Sequence, residues 1–290
     1  MQTDIAISFQ PFGAEHLPGA AALSRDENWP HRIEDWGLVR SLSRGVVVLA
    51  DGDVAGTAFV TRFGPVAMAN MIIVGKAMRG RGLGRRLMEE AMALQAPDEW
   101  RLVATADGLP LYRKLGFEET GLIAQHQGVL LDLTGAPADE RLDWAKPEEA
   151  ATIAALDTQA TGMERLPLIE AILKTGRIAV VREAGEIAGY AALRAFGYGE
   201  VAGPVIARST EEAQALLTFL FAGQAGRFMR VDTATDSGLS RWLERAGLAH
   251  VGGGVAMSRV DKPADRGTSR LDGPSAGTVK RFALAAQALG

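Results

Sequence analysis

The run Met71 to Leu87 (MIIVGKAMRGRGLGRRL) is where this 290-residue sequence carries its clearest chemical signal. An apolar run passes into a loop with glycines at 75, 80, 82 and 84 and with Lys76, Arg79, Arg81, Arg85 and Arg86. A helical pattern follows, with Leu83, Leu87, Ala91 and Leu94 on one face. A helix N-terminus offers unpaired N–H groups and about half a positive charge. Glycines let an anion approach that backbone, and the arginines add full charges. In physical terms the arrangement suits a pyrophosphate. The spacing is neither G-x-x-x-x-G-K-[ST] nor G-x-G-x-x-G, so neither a Walker loop nor the dinucleotide fingerprint is present. It is Arg79-x-x-Gly82-x-Gly84 after a strand. The alternative is a basic turn on a solvated helix with no ligand.

Further along stands Leu109-Pro110-Leu111-Tyr112-Arg113-Lys114-Leu115-Gly116-Phe117, a short helix carrying a tyrosine and ending at Gly-Phe. Taken in order with the Arg79 motif and a strand between them, it resembles the GNAT (Gcn5-related) N-acetyltransferase superfamily across about residues 4–134. The resemblance implies acetyl-CoA as co-substrate and direct transfer to an amine, without an acyl-enzyme. It implies that the backbone of Ile73 and Val74 pairs with the pantetheine arm. Arg79, Gly80, Arg81, Gly82, Leu83, Gly84 and Arg85 then hold the pyrophosphate. Tyr112 falls where the family protonates the departing thiolate; a phenol with an ordinary pKa near 10 is suited to that. A half-buried packing role is the alternative for Tyr112. Many relatives place a Glu on the strand before the motif, whereas Val66 to Val74 offers only Asn70. Proton removal is left to water or to side chains from elsewhere. Trp29 and His31 lie in the helix pair that borders the acceptor site in the family and are candidate substrate contacts, with Asp26, Glu27, Glu34, Asp35 and Trp36 nearby.

The elements that position these residues occur twice. Gly52-Asp53-Val54-Ala55-Gly56 is matched by Gly185-Glu186-Ile187-Ala188-Gly189, each after a β-branched run, so each reads as an antiparallel hairpin. Leu115-Gly116-Phe117 is matched by Ala246-Gly247-Leu248 at nearly the same offset. Two tandem copies of one α/β (α+β) fold are expected, each a mixed, mostly antiparallel twisted sheet flanked by helices. The expected division is 1–135, 140–260, and a linker and docking tail over 261–290.

In the second copy the glycine pair is gone. Ser209 and Glu212 form a capping box, and Glu211 and Glu212 would repel a pyrophosphate. Leu243 stands where the first copy has Tyr112. This half resembles the degenerate C-terminal acetyltransferase-like domain of some bacterial tandem proteins. Asp157 and Arg165 are candidate acceptor-cleft residues or else a structural ion pair.

Composition narrows the rest. The net charge is −4 and 47% of residues are hydrophobic, which fits a globular chain without a basic field for nucleic acid or an anionic membrane. With no cysteine there is no disulfide scaffold, thiolate metal site or cysteine nucleophile. Neither a signal peptide nor a membrane span is read, and a cytoplasmic location is expected. His16, His31, His126 and His250 are scattered, so no metal site is expected. The expected activity is acetyl-CoA-dependent acetylation of a small-molecule or peptide amine, in a monomer or homodimer. A catalytically silent acyl-CoA-binding sensor is the alternative.

Overall fold

A computed structural model describes residues 5–133, 139–262 and 278–290. The sequence repeat becomes a repeat of hairpins. Asp51 and Gly52, and again Ala184 and Gly185, adopt left-handed backbone at φ 50 and 93° and 50 and 88°. Two consecutive left-handed residues make the tight turn whose twist matches that of flanking antiparallel strands.

In chain order the first half gives β1 (Ile7–Pro11), α1 (Leu17–Asp26), α2 (Ile33–Leu42), β2 (Arg44–Ala50), β3 (Asp53–Phe63), β4 (Val66–Val74), α3 (Leu83–Met92), β5 (Glu99–Ala104), α4 (Leu109–Lys114) and β6 (Glu118–Val129). The second gives β7 (Leu142–Trp144), α5 (Ala150–Thr161), α6 (Leu166–Thr175), β8 (Gly176–Glu183), β9 (Glu186–Phe196), β10 (Gly199–Ala207), α7 (Thr210–Phe221), β11 (Phe228–Ala234), α8 (Ser240–Arg245) and β12 (Ala249–Val260). A last strand, β13 (Lys280–Ala283), follows. Strands β3 and β9 have 11 residues each, β4 and β10 have 9, and β6 and β12 have 12. Of the helical face read from the sequence, Leu83, Leu87 and Ala91 fall within α3, whereas Leu94 lies beyond its end at Met92. Gly252-Gly253-Gly254 lies inside β12, at a register shift against β6. Most of the expected boundary at 135–140, and residues 263–277 of the expected linker, lie outside the described residues.

The thirteen strands of the described residues form one sheet, in the order β1-β2-β3-β4-β5-β12-β6-β11-β13-β10-β9-β8-β7. The two halves exchange their final long strands. β12 pairs with β5 of the first half, and β6 pairs with β11 of the second, all antiparallel. Three cores form. One lies under α3 and α4, and a second under α7 and α8. The third is shared, joining Trp36 and Phe59 of the first half to Ile153, Ile169 and Tyr190 of the second. Among the described residues no helix is long and apolar enough to cross a membrane.

Among the described residues each half contains one parallel pair, and both pairs come apart. β4 and β5 pair only at Val66–Glu99, Ala67–Trp100 and Met68–Arg101. β10 and β11 pair only at Glu200–Met229 and Val201–Arg230. Beyond those residues each half has a fork. In the second half β13 fills it, antiparallel to β10 at Val205–Ala283 and Ala207–Lys280 and to β11 at Thr233–Ala283. The tail is built in firmly: Leu284 N–H donates to Asp232 O at 2.8 Å, and Val279, Phe282, Leu284 and Leu289 are buried. Gly203 is required there, because a Cβ would collide with the Leu284 carbonyl oxygen. Among the described residues no strand enters the fork of the first half.

Candidate functional site

The open fork is shaped by a bulge. The register of β4 against β3 shifts between Thr57 and Phe59, and Met71 takes φ 49°. Thr57 Oγ1 donates to Met71 O at 2.6 Å and holds the bulge. Asn70, Met71 and Ile72 thereby line a cavity of about 230 Å³ between the parted strands. Val103 and Thr105 form the opposite edge, and Tyr112 of α4 reaches in from the helix side.

The loop after β4 has the form of a cradle. Gly80 and Gly82 stand at φ 78 and 75°, where a side chain is strained, and a Cβ on either would meet open space. No side chain caps α3 at Gly82, so its first-turn N–H groups remain available. The basic residues are more engaged than their number suggests. Arg79 Nε donates to Val74 O at 3.1 Å, its Nη2 lies 2.6 Å from Glu27 Oε1, and Lys76 Nζ donates to Asp26 O at 2.8 Å. These bonds tie the end of α1 to the loop. Arg85 and Arg86 pair with Glu89 and Glu90 one turn on. Leu83 is buried and anchors α3; Gly84 packs near Leu111 and Val74. The donors this loop leaves free are therefore mainly backbone, with exposed Arg81 its least engaged cation. The corresponding helix end in the second half is closed: Glu212 N–H donates to Ser209 Oγ at 3.2 Å, and Arg208 N–H donates to the Glu212 carboxylate at 2.7 Å.

Tyr112 is 6% exposed and packs edge-on against Phe117, their ring centres 6.3 Å apart. Burial pushes its hydroxyl up to about 12, so it is fully protonated at neutral pH. Trp29 and His31 also line the cavity, their rings 5.6 Å apart. Burial, reinforced by the Arg230 charge, holds His31 down to about 4. Ile73 and Val74 continue the β4 edge toward the cradle, paired on their other side with Thr57 and Gly56; Ile72 is the neighbour that lines the wall.

Asp157 and Arg165 stand apart from the cavity. They form a fully buried ion pair, with Arg165 Nε and Nη2 donating to Asp157 at 2.8 and 2.6 Å and Tyr190 OH donating to Asp157 at 2.5 Å. The free side of Arg165 donates to the backbone oxygens of Leu289 and Gly290, which fastens the tail.

Several lining residues carry no local signal in the sequence: Gln125 on β6, Phe196 at the end of β9, Arg230 on β11, Gly253 on β12 and Ala286 to Ala288 on the tail. They arrive through strand exchange and tail docking. Gln287 Nε2, for example, bridges Gln125 Oε1 at 3.2 Å and Asp232 Oδ1 at 3.0 Å. Among the described residues no group of three or more His, Cys, Asp and Glu stands close enough to hold a metal ion.

Two family profiles, each described as an acetyltransferase (GNAT) domain, match residues 42–119 and 153–270. The chain is 27% identical over 232 residues to YitH of Bacillus subtilis (strain 168), described as an uncharacterized N-acetyltransferase, covering 77% of this chain and 80% of that protein. Among solved structures, a Pyrococcus horikoshii protein provisionally described as an acetyltransferase superposes with a TM-score of 0.78 at 16% identity, over 98% of this chain and 96% of that one. The tandem GNAT protein from the clavulanic acid biosynthesis pathway superposes with a TM-score of 0.60 at 16% identity, over 90% and 100%.

Proposed function

Because both halves of this chain belong to the GNAT acetyltransferases, and the protein is therefore an acyltransferase, we propose that it moves an acetyl group from acetyl-CoA directly to a primary amine of a small molecule or peptide, in the first half alone. The observation that carries this reading is the contrast between the two forks. The β4/β5 fork opens onto a cavity beside an uncapped helix end, whereas the β10/β11 fork holds the chain's own β13 beside a capped one. A two-faced backbone edge, a glycine cradle and a protonated phenol suit an acyl-pantetheine arm with a diphosphate. In this reading residues 1–135 and 140–260 are the two acetyltransferase units, with 261–290 as linker and docking tail.

Acetyl-CoA supplies an acetyl carbonyl activated as a thioester. The chain's residues do the rest. The edge of β4 running on through Ile73 and Val74 orients the arm, and the backbone from Arg79 to Arg85 holds the diphosphate. As the acceptor nitrogen bonds to the carbonyl carbon, the carbon–sulfur bond breaks and Tyr112 donates its proton to the departing sulfur. Among the described residues no carboxylate lines the cavity, and His31 at about 4 is a weak base. The acceptor therefore reacts as free amine, and its proton leaves through water.

Calorimetric titration with acetyl-CoA tests the reading. One site per chain is expected, displaced by CoA; no heat and no thermal stabilisation would overturn it.

A further inference from the structure

The cavity of the first half contains polar groups that the thioester side leaves unused. Asn70 is 4% exposed, and its Nδ2 donates to Thr61 Oγ1 at 2.9 Å while facing the Met68 carbonyl oxygen at 3.4 Å. A carbonyl oxygen only accepts, so the amide nitrogen is fixed on that side. Asn70 lines the cavity, and its Oδ1 is buried without a hydrogen-bond partner. A buried orphan acceptor is costly and calls for an N–H donor. An acceptor amine is such a donor.

Arg230 lies on the side of the cavity built by the second half, 7% exposed. Its Nε and Nη2 donate to Asp232 at 2.9 and 3.0 Å, and it sits 5.2 Å from the centre of the Phe196 ring. A guanidinium has five N–H groups, so donors remain on Nη1 and Nη2. Behind it Arg194, 4% exposed, has an unpaired Nε. The carboxylate nearest Arg194 is Asp35, 3.9 Å away and already held by Arg32 at 3.0 and 2.9 Å. His31 is neutral at ordinary pH, and among the described residues no carboxylate lines the cavity. The surroundings therefore carry surplus positive charge. That surplus disfavours an ammonium and favours the free amine that attack requires. It also favours a negative group elsewhere on the same molecule.

Resting on the acetyl-transfer reading of this cavity, we propose that the acceptor is a primary amine bearing a carboxylate, with the amine donating to Asn70 Oδ1 and the carboxylate received by Arg230. Acceptors whose only charge is cationic, such as aliphatic diamines, find no partner here.

CoA release is measured with saturating acetyl-CoA for free amino acids, the matching carboxamides and aliphatic diamines. The carboxylates are expected to exceed their carboxamides in kcat/KM by about tenfold to a hundredfold, the range for hydrogen bonds to charged groups. Arg230→Gln is expected to erase that ratio by raising KM for the carboxylates, with acetyl-CoA binding retained. Because Arg230→Gln strands Asp232, the paired variant R230Q/D232N, which removes both charges, is measured beside it. Thermal shift with N-acetyl amino acids against N-acetyl carboxamides provides a second reading on the same proteins. If diamines or carboxamides match the carboxylates, or if the preference survives in R230Q/D232N, the proposal falls while acetyl-CoA binding stands. The same holds if no panel member is acetylated and the N-acetyl carboxylates stabilise the wild-type protein no more than the amides do. Failure to bind acetyl-CoA at all is a separate result, and it sinks the transfer reading itself.

Discussion

Tyr112 and His31 line one cavity, and burial moves their titrations in opposite senses. For the phenol, burial disfavours the anion, so the hydroxyl keeps its proton throughout the neutral range. Tyr112→Phe keeps the ring and its packing on Phe117 and removes the proton. A fall in kcat of about a hundredfold, the lower range for a general acid, is expected with acetyl-CoA affinity retained; single-turnover kinetics and calorimetry measure the two separately. For the imidazole, burial disfavours the cation, and Arg230 and Arg194 add to the effect while Asp35 opposes it. The unfolded chain takes up this proton near 6.5 and the folded chain only near 4. Between those values the unfolded state binds more protons, so stability is full above 6.5 and declines as pH falls toward 4, by at most about 1.4 kcal/mol per pH unit. Urea midpoints between pH 4 and 7 should show that slope in the wild type and a shallower one in His31→Phe; parallel curves would refute it.

At the scale of elements, the same strand–loop–helix unit takes two forms. Behind β4 the loop has two left-handed glycines and leaves the end of α3 open. Behind β10 a serine and a glutamate close the end of α7. Gly82→Ala puts a Cβ on a left-handed residue without any clash, since the space around it is empty. The expected cost is roughly 1–2 kcal/mol from backbone strain alone. Relief of that strain would displace the N–H groups of α3, so acetyl-CoA affinity should fall together with Tm. Unchanged affinity would mean that the diphosphate does not rest on this turn. The short helices α4 and α8 carry Tyr112 and Leu243 respectively, so the second copy keeps the packing and lacks the hydroxyl.

At the scale of the molecule, the halves are interlocked. β6 and β12 each complete the other half's sheet, and the tail occupies the second fork, held at its far end by the Asp157–Arg165 pair. The same tail supplies Ala286 to Ala288 to the wall of the first half's cavity. A chain ended before Val279 would lose the burial of Val279, Phe282, Leu284 and Leu289, each worth about 1.5–3 kcal/mol. The expected result is a large drop in Tm, and loss of acceptor discrimination in whatever fraction still binds acetyl-CoA. If Tm and acceptor preference were both unchanged, the tail would be an ornament.

Local chemistry was open to reading from the residues in order. The two hairpins follow from turn dipeptides between β-branched runs, the cradle from its glycine spacing, and α4 with Tyr112 from a proline-started helix ending at Gly116. Each is settled within about a dozen neighbouring residues, because turn geometry, helix period and glycine freedom act at short range. The far side of the cavity was not open to such reading. Phe196, Arg230 and Gln287 look in sequence like an ordinary strand end, a strand charge and a tail polar residue. Their convergence on Asn70 and His31 depends on which strand lies beside β5 and on what fills the fork of the second half. The same alternating strands satisfy an exchanged and an unexchanged sheet equally well, so only the packing of both halves around their shared core selects between them.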